Sequence, residues 1–326
     1  MIEIVETMPD AEYHARPEVG SSDVKQAGKD PSRVGQSKPD APHFIFGRLV
    51  HCATLEPNEL AKRWGSEPDR RDWPDALVTV DDMKRAIKDS APGVPVSRNR
   101  AQLVELVREH CPNAMLWDDL RRDAGERNAG KTLVSGYDFR SAERIAEAVR
   151  SHYDVRRLGL LEDGAAERSW FAPVQYSDFD IGTVDSDAKC RPDYDKPDGF
   201  GGGRVLDLKT ARAIGDRQCR GWMRDAVKFG YDVSAAWYLD VMAEHGEHRD
   251  QWSWVVVDKS TVDDGGDIRV EVITAETDFE LFDNARRKIA RALDNLKTYR
   301  DDPDEWARRT QREHVAMWPA WDLREG

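Results

Sequence analysis

Residues 201–210 read Gly201-Gly202-Gly203-Arg204-Val205-Leu206-Asp207-Leu208-Lys209-Thr210, and Arg191-Pro192-Asp193 stands shortly before them. Val205, Leu206 and Leu208 are apolar residues suited to a buried strand, in which successive side chains point to opposite faces. Asp207 and Lys209 therefore share a face, their Cα atoms about 6.6 Å apart at the usual strand rise. The intervening Tyr194 to Gly203, rich in Pro, Asp and Gly, reads as a hairpin loop. Asp193, Asp207 and Lys209 are thereby brought together on neighbouring strands.

Two carboxylates and an ammonium suit phosphodiester hydrolysis. A divalent cation takes hard oxygen ligands, and the charge that develops on the phosphorus needs a cation beside it. A lysine there orients or deprotonates the attacking water. A bare Asp-x-Lys is ordinarily a solvated edge pair, because charged side chains stay exposed. The leucines around this one, and the Arg-Pro-Asp before it, argue for the buried arrangement.

With Tyr231-Asp232-Val233-Ser234-Ala235-Ala236-Trp237-Tyr238, these segments resemble the RecE-type (exonuclease VIII) branch of the PD-(D/E)xK nuclease superfamily. Phe46-Gly47-Arg48-Leu49-Val50-His51-Cys52-Ala53-Thr54-Leu55-Glu56-Pro57 resembles that family's amino-terminal Gly-x-x-x-His helix, and Glu167-Arg168-Ser169-Trp170 its glutamate before the first core strand. The resemblance covers about residues 15 to 60 and 140 to 300. It implies an α/β nuclease core, a mixed central sheet flanked by helices. It implies that Asp193, Asp207, His51 and Glu167, with the Leu208 carbonyl, bind Mg²⁺ or Mn²⁺, and that Lys209 positions the water. Substrate contacts fall on Arg191, Thr210, Ser234 and Tyr238. Relatives carry glutamine where Ser234 stands, so the contact ascribed to that glutamine is the one the shorter hydroxyl puts in question. The implied activity is 5′-to-3′ digestion of linear duplex DNA to leave a 3′ single strand, by a ring-shaped homo-oligomer working with a single-strand annealing protein. A structure- or site-specific endonuclease on the same core, and a non-catalytic DNA-binding subunit, are the other readings.

The 326 residues suffice for one large or two modest domains. No apolar run approaches the roughly 20 residues of a membrane span, and the acidic start Met1-Ile2-Glu3 lacks the order of a signal peptide. A cytoplasmic location is expected. Cys52, Cys111, Cys190 and Cys219 are scattered without a Cys-x-x-Cys pair and read as reduced, buried thiols. Some relatives hold an iron–sulfur cluster with three cysteines near the carboxyl end, but no cysteine follows Cys219.

A net charge of −13 argues against a protein that coats nucleic acid, though not against a locally basic channel. Local basic clusters are Arg121-Arg122, Arg127 to Lys131, Arg156-Arg157 and Arg286-Arg287-Lys288 to Arg291.

Along the chain, Ser21-Ser22-Asp23 caps a short helix over Val24 to Gly28. His43 to Leu55 is apolar all round and predicts a buried helix, with Gly47 one turn before His51 so that another backbone can approach. Residues 1–65 form the helical start of the nuclease core. Residues 61 to 75 read as a linker. Val78 to Ile87 and Ser97 to Val107 predict two amphipathic helices joined by a Pro-Gly turn, similar to a SAP-like DNA-binding module, within a helical insertion over 66–135. Residues 123 to 136 read as a loop and Phe139 to Leu161 as one long helix. In the core over 136–326, Val174 to Tyr194 predicts a hairpin turning near Ser177-Asp180 or Asp185-Asp187. Asp216 to Phe229 and Tyr231 to Ala243 predict helices, Gln251 to Val257 and Ile268 to Ile273 paired strands, and Asp278 to Arg300 a long helix. The tail brings Trp306, Trp318 and Trp321 to the core or to a neighbouring subunit.

Overall fold

The computed structural model describes residues 2–36, 41–262, 266–277 and 280–310. The chain opens with strand β1 (Glu3–Val5) and helix α1 (Asp10–Ala15). Helix α2 (Ser21–Ala27) is capped by Asp23, whose Oδ2 accepts from the Gly20 N–H at 3.0 Å. Helix α3 (Pro42–Leu55) follows, and its buried residues, Leu49, Val50, Cys52, Ala53 and Thr54, all lie in its second half. Phe44 is 50 % exposed, so the helix is not buried all round as its composition predicts.

The linker expected over 61–75 begins only after α4 (Pro57–Arg63) and strand β2 (Trp64–Ser66), because Trp64 finds a place in the core, while residues 67–75 form no helix or strand. Helices α5 (Val80–Ser90) and α6 (Arg100–His110) each start from a reciprocal cap, Thr79 with Asp82 and Asn99 with Gln102. Where a loop was expected over 123–136, α7 (Trp117–Arg127) and strand β3 (Thr132–Val134) stand. Buried Ala124 holds α7 inward, while a side chain at Gly125 would meet nothing within 4 Å. A glycine on an exposed helix face costs only about 1 kcal/mol. Met83, Ile87, Leu103, Val107, Cys111 and Leu116 form a core of their own. Strands β2 and β3 pair in parallel, Trp64 opposite Thr132, so this segment leaves and rejoins the chain at one place.

The single helix expected from Phe139 to Leu161 is broken at His152, whose extended ψ of 134° separates α8 (Gly136–Ser151) from α9 (Tyr153–Arg157). Strands β4 (Ala165–Ala166), β5 (Ser169–Asp178), β6 (Gly182–Cys190), β7 (Tyr194–Pro197) and β8 (Gly203–Ala211) come next. The β5–β6 hairpin pairs Asp178 with Gly182, which puts its turn at the first of the two expected places, and β1 lines its outer edge. Helices α10 (Arg220–Phe229) and α11 (Tyr231–Ala243) precede strands β9 (Gln251–Asp258) and β10 (Val270–Glu276). Helices α12 (Glu280–Asp301) and α13 (Pro303–Thr310) complete the described chain. Trp306 lies on α13, whereas Trp318 and Trp321 fall outside the described residues.

The central sheet runs β10-β9-β8-β7-β4, with β8 and β9 parallel and the other neighbours antiparallel. It is the expected mixed sheet between helices. Its strands obey the two-residue alternation: Val205 packs with Ala236, Trp237, Phe282 and Ile289, and Leu206 and Leu208 with Leu49, Val50, Ile145 and Val149. Asp207 and Lys209 therefore sit on the Val205 side, between two apolar layers. The four cysteines are buried and unbridged. Among the described residues no helix is long and apolar enough to cross a membrane.

Candidate active site

The site lies in a notch where one strand leaves another. Strand β7 pairs with β8 only as far as Tyr194 opposite Leu206, and Pro192 just beyond has no N–H to continue the ladder. Part of the segment expected as a hairpin loop is thus a strand, and the true loop is Asp198 to Gly202. Past Leu206 the edge of β8 presents its backbone to side chains. The Leu208 N–H donates to Asp193 Oδ2 at 2.6 Å, and the Leu208 carbonyl accepts from His51 Nε2 at 2.9 Å. Buried backbone groups need partners, and here catalytic-type side chains supply them.

The bond to Leu208 requires a hydrogen on Nε2 and turns Nδ1 toward two carboxylates, where it too carries a proton below about pH 9 that a cation would have to displace. Nδ1 is 3.5 Å from Asp193 Oδ1 and 3.9 Å from Glu167 Oε1. Burial alone would lower the His51 pKa, but Asp193 and Glu167 overrule it and raise it to about 9. A ligand atom from each of His51, Glu167 and Asp193 lies within 4.8 Å of the others. The carboxylate oxygens of Glu167 and Asp193 are the hard donors that Mg²⁺ or Mn²⁺ takes, and His51 Nδ1 adds one borderline nitrogen to them. The residues fit such an ion.

Glu167 reaches the group from a backbone with φ of 53°, and its N–H donates to the Asp193 carbonyl at 3.2 Å. That left-handed conformation is costly for a residue with a side chain and recurs at functional positions. His51 is delivered by the buried half of α3. Gly47 admits no close backbone there, contrary to expectation: an added Cβ would meet nothing within 4 Å, because that part of α3 faces open space.

Asp207 and Lys209 form a direct ion pair on the shared face. Asp207 stands outside the His51–Glu167–Asp193 group, its carboxylate engaged by the ammonium. Burial pushes its pKa up, Lys209 pulls it down and Asp193 adds to the rise, with a net shift upward. Burial would likewise discharge Lys209, but Asp207 and Asp193 hold its pKa above the ordinary lysine value. Lys209 is therefore a hydrogen-bond donor and a fixed positive charge. Of the two roles the sequence offers it, orienting water or deprotonating it, only the first suits an ammonium.

Tyr238 packs edge-on against Trp252, ring centroids 5.9 Å apart, and burial, Asp193 and Asp207 raise its pKa. Ser234 faces α2, where its Oγ accepts from Lys25 Nζ at 2.8 Å. Nothing local singles out Lys25, which lies about two hundred residues upstream of Ser234, in no motif. It stands where the reach lost by a serine is filled by a lysine from another helix. Thr210 follows Leu208 on the opposite face of β8 from Lys209, away from the ion pair. Arg191, expected among the substrate contacts, is buried and turned to the amino-terminal segment. It donates to Ser169 Oγ at 2.9 Å, Asp10 Oδ1 at 2.7 Å and the Met8 carbonyl at 3.0 Å, and lies 4.1 Å over the Tyr13 ring. Buried, and with three of its five N–H donors so engaged, it anchors the chain's start and is turned away from the notch.

A mixed sheet with an acidic pair, an Asp-x-Lys strand and a histidine from an amino-terminal helix defines the PD-(D/E)xK class. Residues 25–308 match the family model described as a PDDEXK-like domain of unknown function, DUF3799, and the chain belongs to that family. It is similar to the crystal structure of a presumed exonuclease from Eubacterium rectale, at 15 % identity and a TM-score of 0.36, over 79 % of this chain and 96 % of that one. It is also similar to a phage-related exonuclease from Haemophilus somnus, at 13 % identity and a TM-score of 0.30, over 72 % of this chain and 100 % of that one. No curated protein matches the sequence.

Proposed function

We propose that this protein is a metal-dependent exodeoxyribonuclease of the RecE type that degrades linear duplex DNA 5′ to 3′ and leaves 3′ single strands for recombination. The observation that carries the reading is the convergence of His51, Glu167 and Asp193 within 4.8 Å in the β8 notch, beside the Lys209–Asp207 pair. In this reading Asp193, Glu167 and His51 Nδ1 would hold Mg²⁺ or Mn²⁺, with Asp207 joining from the shared face, while the Leu208 carbonyl, engaged by His51 Nε2 on the other side of the ring, serves as the ring's anchor and not as the ligand first expected. A bound divalent ion supplies Lewis acidity toward the scissile phosphate and neutralises its charge. Leu208 fixes the His51 ring through its carbonyl, as partners of ligating histidines commonly do. Lys209, kept charged by Asp207, donates a hydrogen bond to the attacking water or to a phosphate oxygen and stabilises the charge that develops there. Resemblance to the RecE type extends the proposal to a ring-shaped homo-oligomer and a single-strand annealing partner.

The test is incubation with Mg²⁺ or Mn²⁺ of linear duplex and of closed circular DNA, beside Lys209→Ala. Conversion of linear DNA to mononucleotides with circles intact, and an inert variant, is the expected result. Cut circles would reassign the protein as an endonuclease, and intact DNA of both kinds would make it a binding subunit.

A further inference from the structure

Beside the notch, on the far side of Lys25, runs a cleft of about 430 Å³ between α2, the α10–α11 elbow and α12. In a chain of net charge −13 its walls carry Lys25, Lys29, Lys228, Lys288 and Arg291 against one carboxylate, Asp232. Asp232 is taken up by Lys288 at 2.5 Å, and among the described residues Arg291 reaches the exposed Asp180 at 3.5 Å. Lys29 and Lys228 are exposed and, among the described residues, have no carboxylate partner. The elbow is Gly230, whose φ of 64° ends one helix and starts the next. The Lys25 side chain passes 3.2 Å from where a Cβ on Gly230 would stand, so the same glycine makes room for Lys25 to run from the cleft wall to Ser234.

The cleft also has an aromatic side. Phe229 is 46 % exposed, with Lys228 Nζ 5.4 Å over its ring. Its ring lies 6.0 Å from that of Tyr231, which in turn lies 5.6 Å from Lys209 Nζ. An aromatic pair thus leads from the open cleft to the charged residue of the notch. Cations that follow a backbone, interleaved with rings on which bases stack, are how proteins hold unpaired nucleic acid. A duplex keeps its bases stacked on each other and offers no ring face to Phe229.

We propose that this cleft binds single-stranded DNA and leads an unpaired strand to Asp207 and Lys209, with Lys29, Lys228 and Lys288 on its phosphates and Phe229 under a base. The proposal rests on the nuclease reading for its direction of travel, but the binding it asserts needs neither metal nor cleavage.

Fluorescence anisotropy in EDTA tests it, using the full chain with a labelled thymidine oligomer of about 12 nucleotides, within the usual span of such sites, and a hairpin duplex of equal length. Lys29→Glu with Lys228→Glu is expected to weaken single-strand binding at least 10-fold and to reduce the slope of log affinity against log salt by about 1.4. Phe229→Ala is expected to weaken it roughly 5-fold with the slope unchanged, since stacking is not ionic. Duplex binding should move less than 2-fold in both. Unchanged single-strand affinity in both variants overturns the proposal, and so does a parallel loss for strand and duplex, which would make the cleft a duplex-backbone track. All three positions are exposed, and melting temperatures equal to the parent's establish that folding is intact. Hydrolysis of bis(p-nitrophenyl) phosphate, too small to need the cleft, is measured alongside. If the parent protein fails there but binds single strands as expected, the nuclease reading falls and the cleft stands.

Discussion

Asp193 accepts the Leu208 N–H at 2.6 Å with one carboxylate oxygen and faces His51 Nδ1 at 3.5 Å with the other. One side chain thus completes the backbone bonding of β8 and contributes to the candidate metal group. Asp193→Asn keeps an acceptor for Leu208 and is expected to fold with near-parental stability while losing at least 100-fold in hydrolysis. Asp193→Leu leaves that N–H unpaired and is expected to cost a further 1–3 kcal/mol or so. Thermal unfolding beside a cleavage assay separates the two effects, and equal stability of the two variants would deny the backbone role.

Metal should stabilise the fold through this group. A cation that binds only the folded chain adds about 2.7 kcal/mol at one hundred times its dissociation constant. Titration with Mn²⁺ is expected to raise the melting temperature of the parent protein, and His51→Ala or Glu167→Gln to abolish most of that rise. EDTA should end hydrolysis, and a rise that persists undiminished in both variants would place the ion elsewhere.

Lys209 and Asp207 should behave as a unit. Removing one partner of a buried pair leaves an uncompensated charge, at a cost of about 3–5 kcal/mol. Lys209→Met and Asp207→Asn are each expected to destabilise the protein, and the double variant to cost clearly less than their sum. Additive effects in urea unfolding would show that the pair is not coupled.

Lys25 predicts a pH dependence of stability. Burial first, and Lys209 next, lower its pKa to about 8, while Asp207 resists. The folded state therefore binds fewer protons than the unfolded chain between about 8 and the ordinary lysine value of about 10.4. Its penalty is fully present below pH 8 and fades as the pH rises toward 10.4. Lys25→Met should thus be more stable than the parent at pH 7, by at most about 3 kcal/mol, with the gap closing above pH 10. A gap independent of pH would mean that the gain comes from packing alone.

The residues of the notch were legible because a strand bracketed by leucines fixes which side chains share a face, and Asp207 and Lys209 do. Tyr231 to Ala243 was legible end to end, since Gly230 before it marks the break between two helices. Chemistry that depends on where a strand stops was not. That β7 releases β8 after Leu206 is set by Pro192 in its tertiary setting, and Tyr194 to Pro197 looked like loop because proline and aspartate are poor strand formers. Arg191 belongs to the same motif as Asp193, yet the two lie in the irregular link between β6 and β7, where no strand alternation ties their directions, and the arginine turns toward Asp10. Lys25 carries no local signal at all; only the approach of α2 to α11 brings it to Ser234.

Strands β2 and β3 lie side by side in parallel, so the helical segment between them is joined to the rest at this pair and at Asp69 and Asp72, which Arg140 of α8 reaches from beside it. Its core shares no buried residue with the two layers around the sheet. Such an attachment works as a socket: what is plugged in can be exchanged, enlarged or dispensed with, and neither the strand register around Leu208 nor the approach of α3 has to be renegotiated.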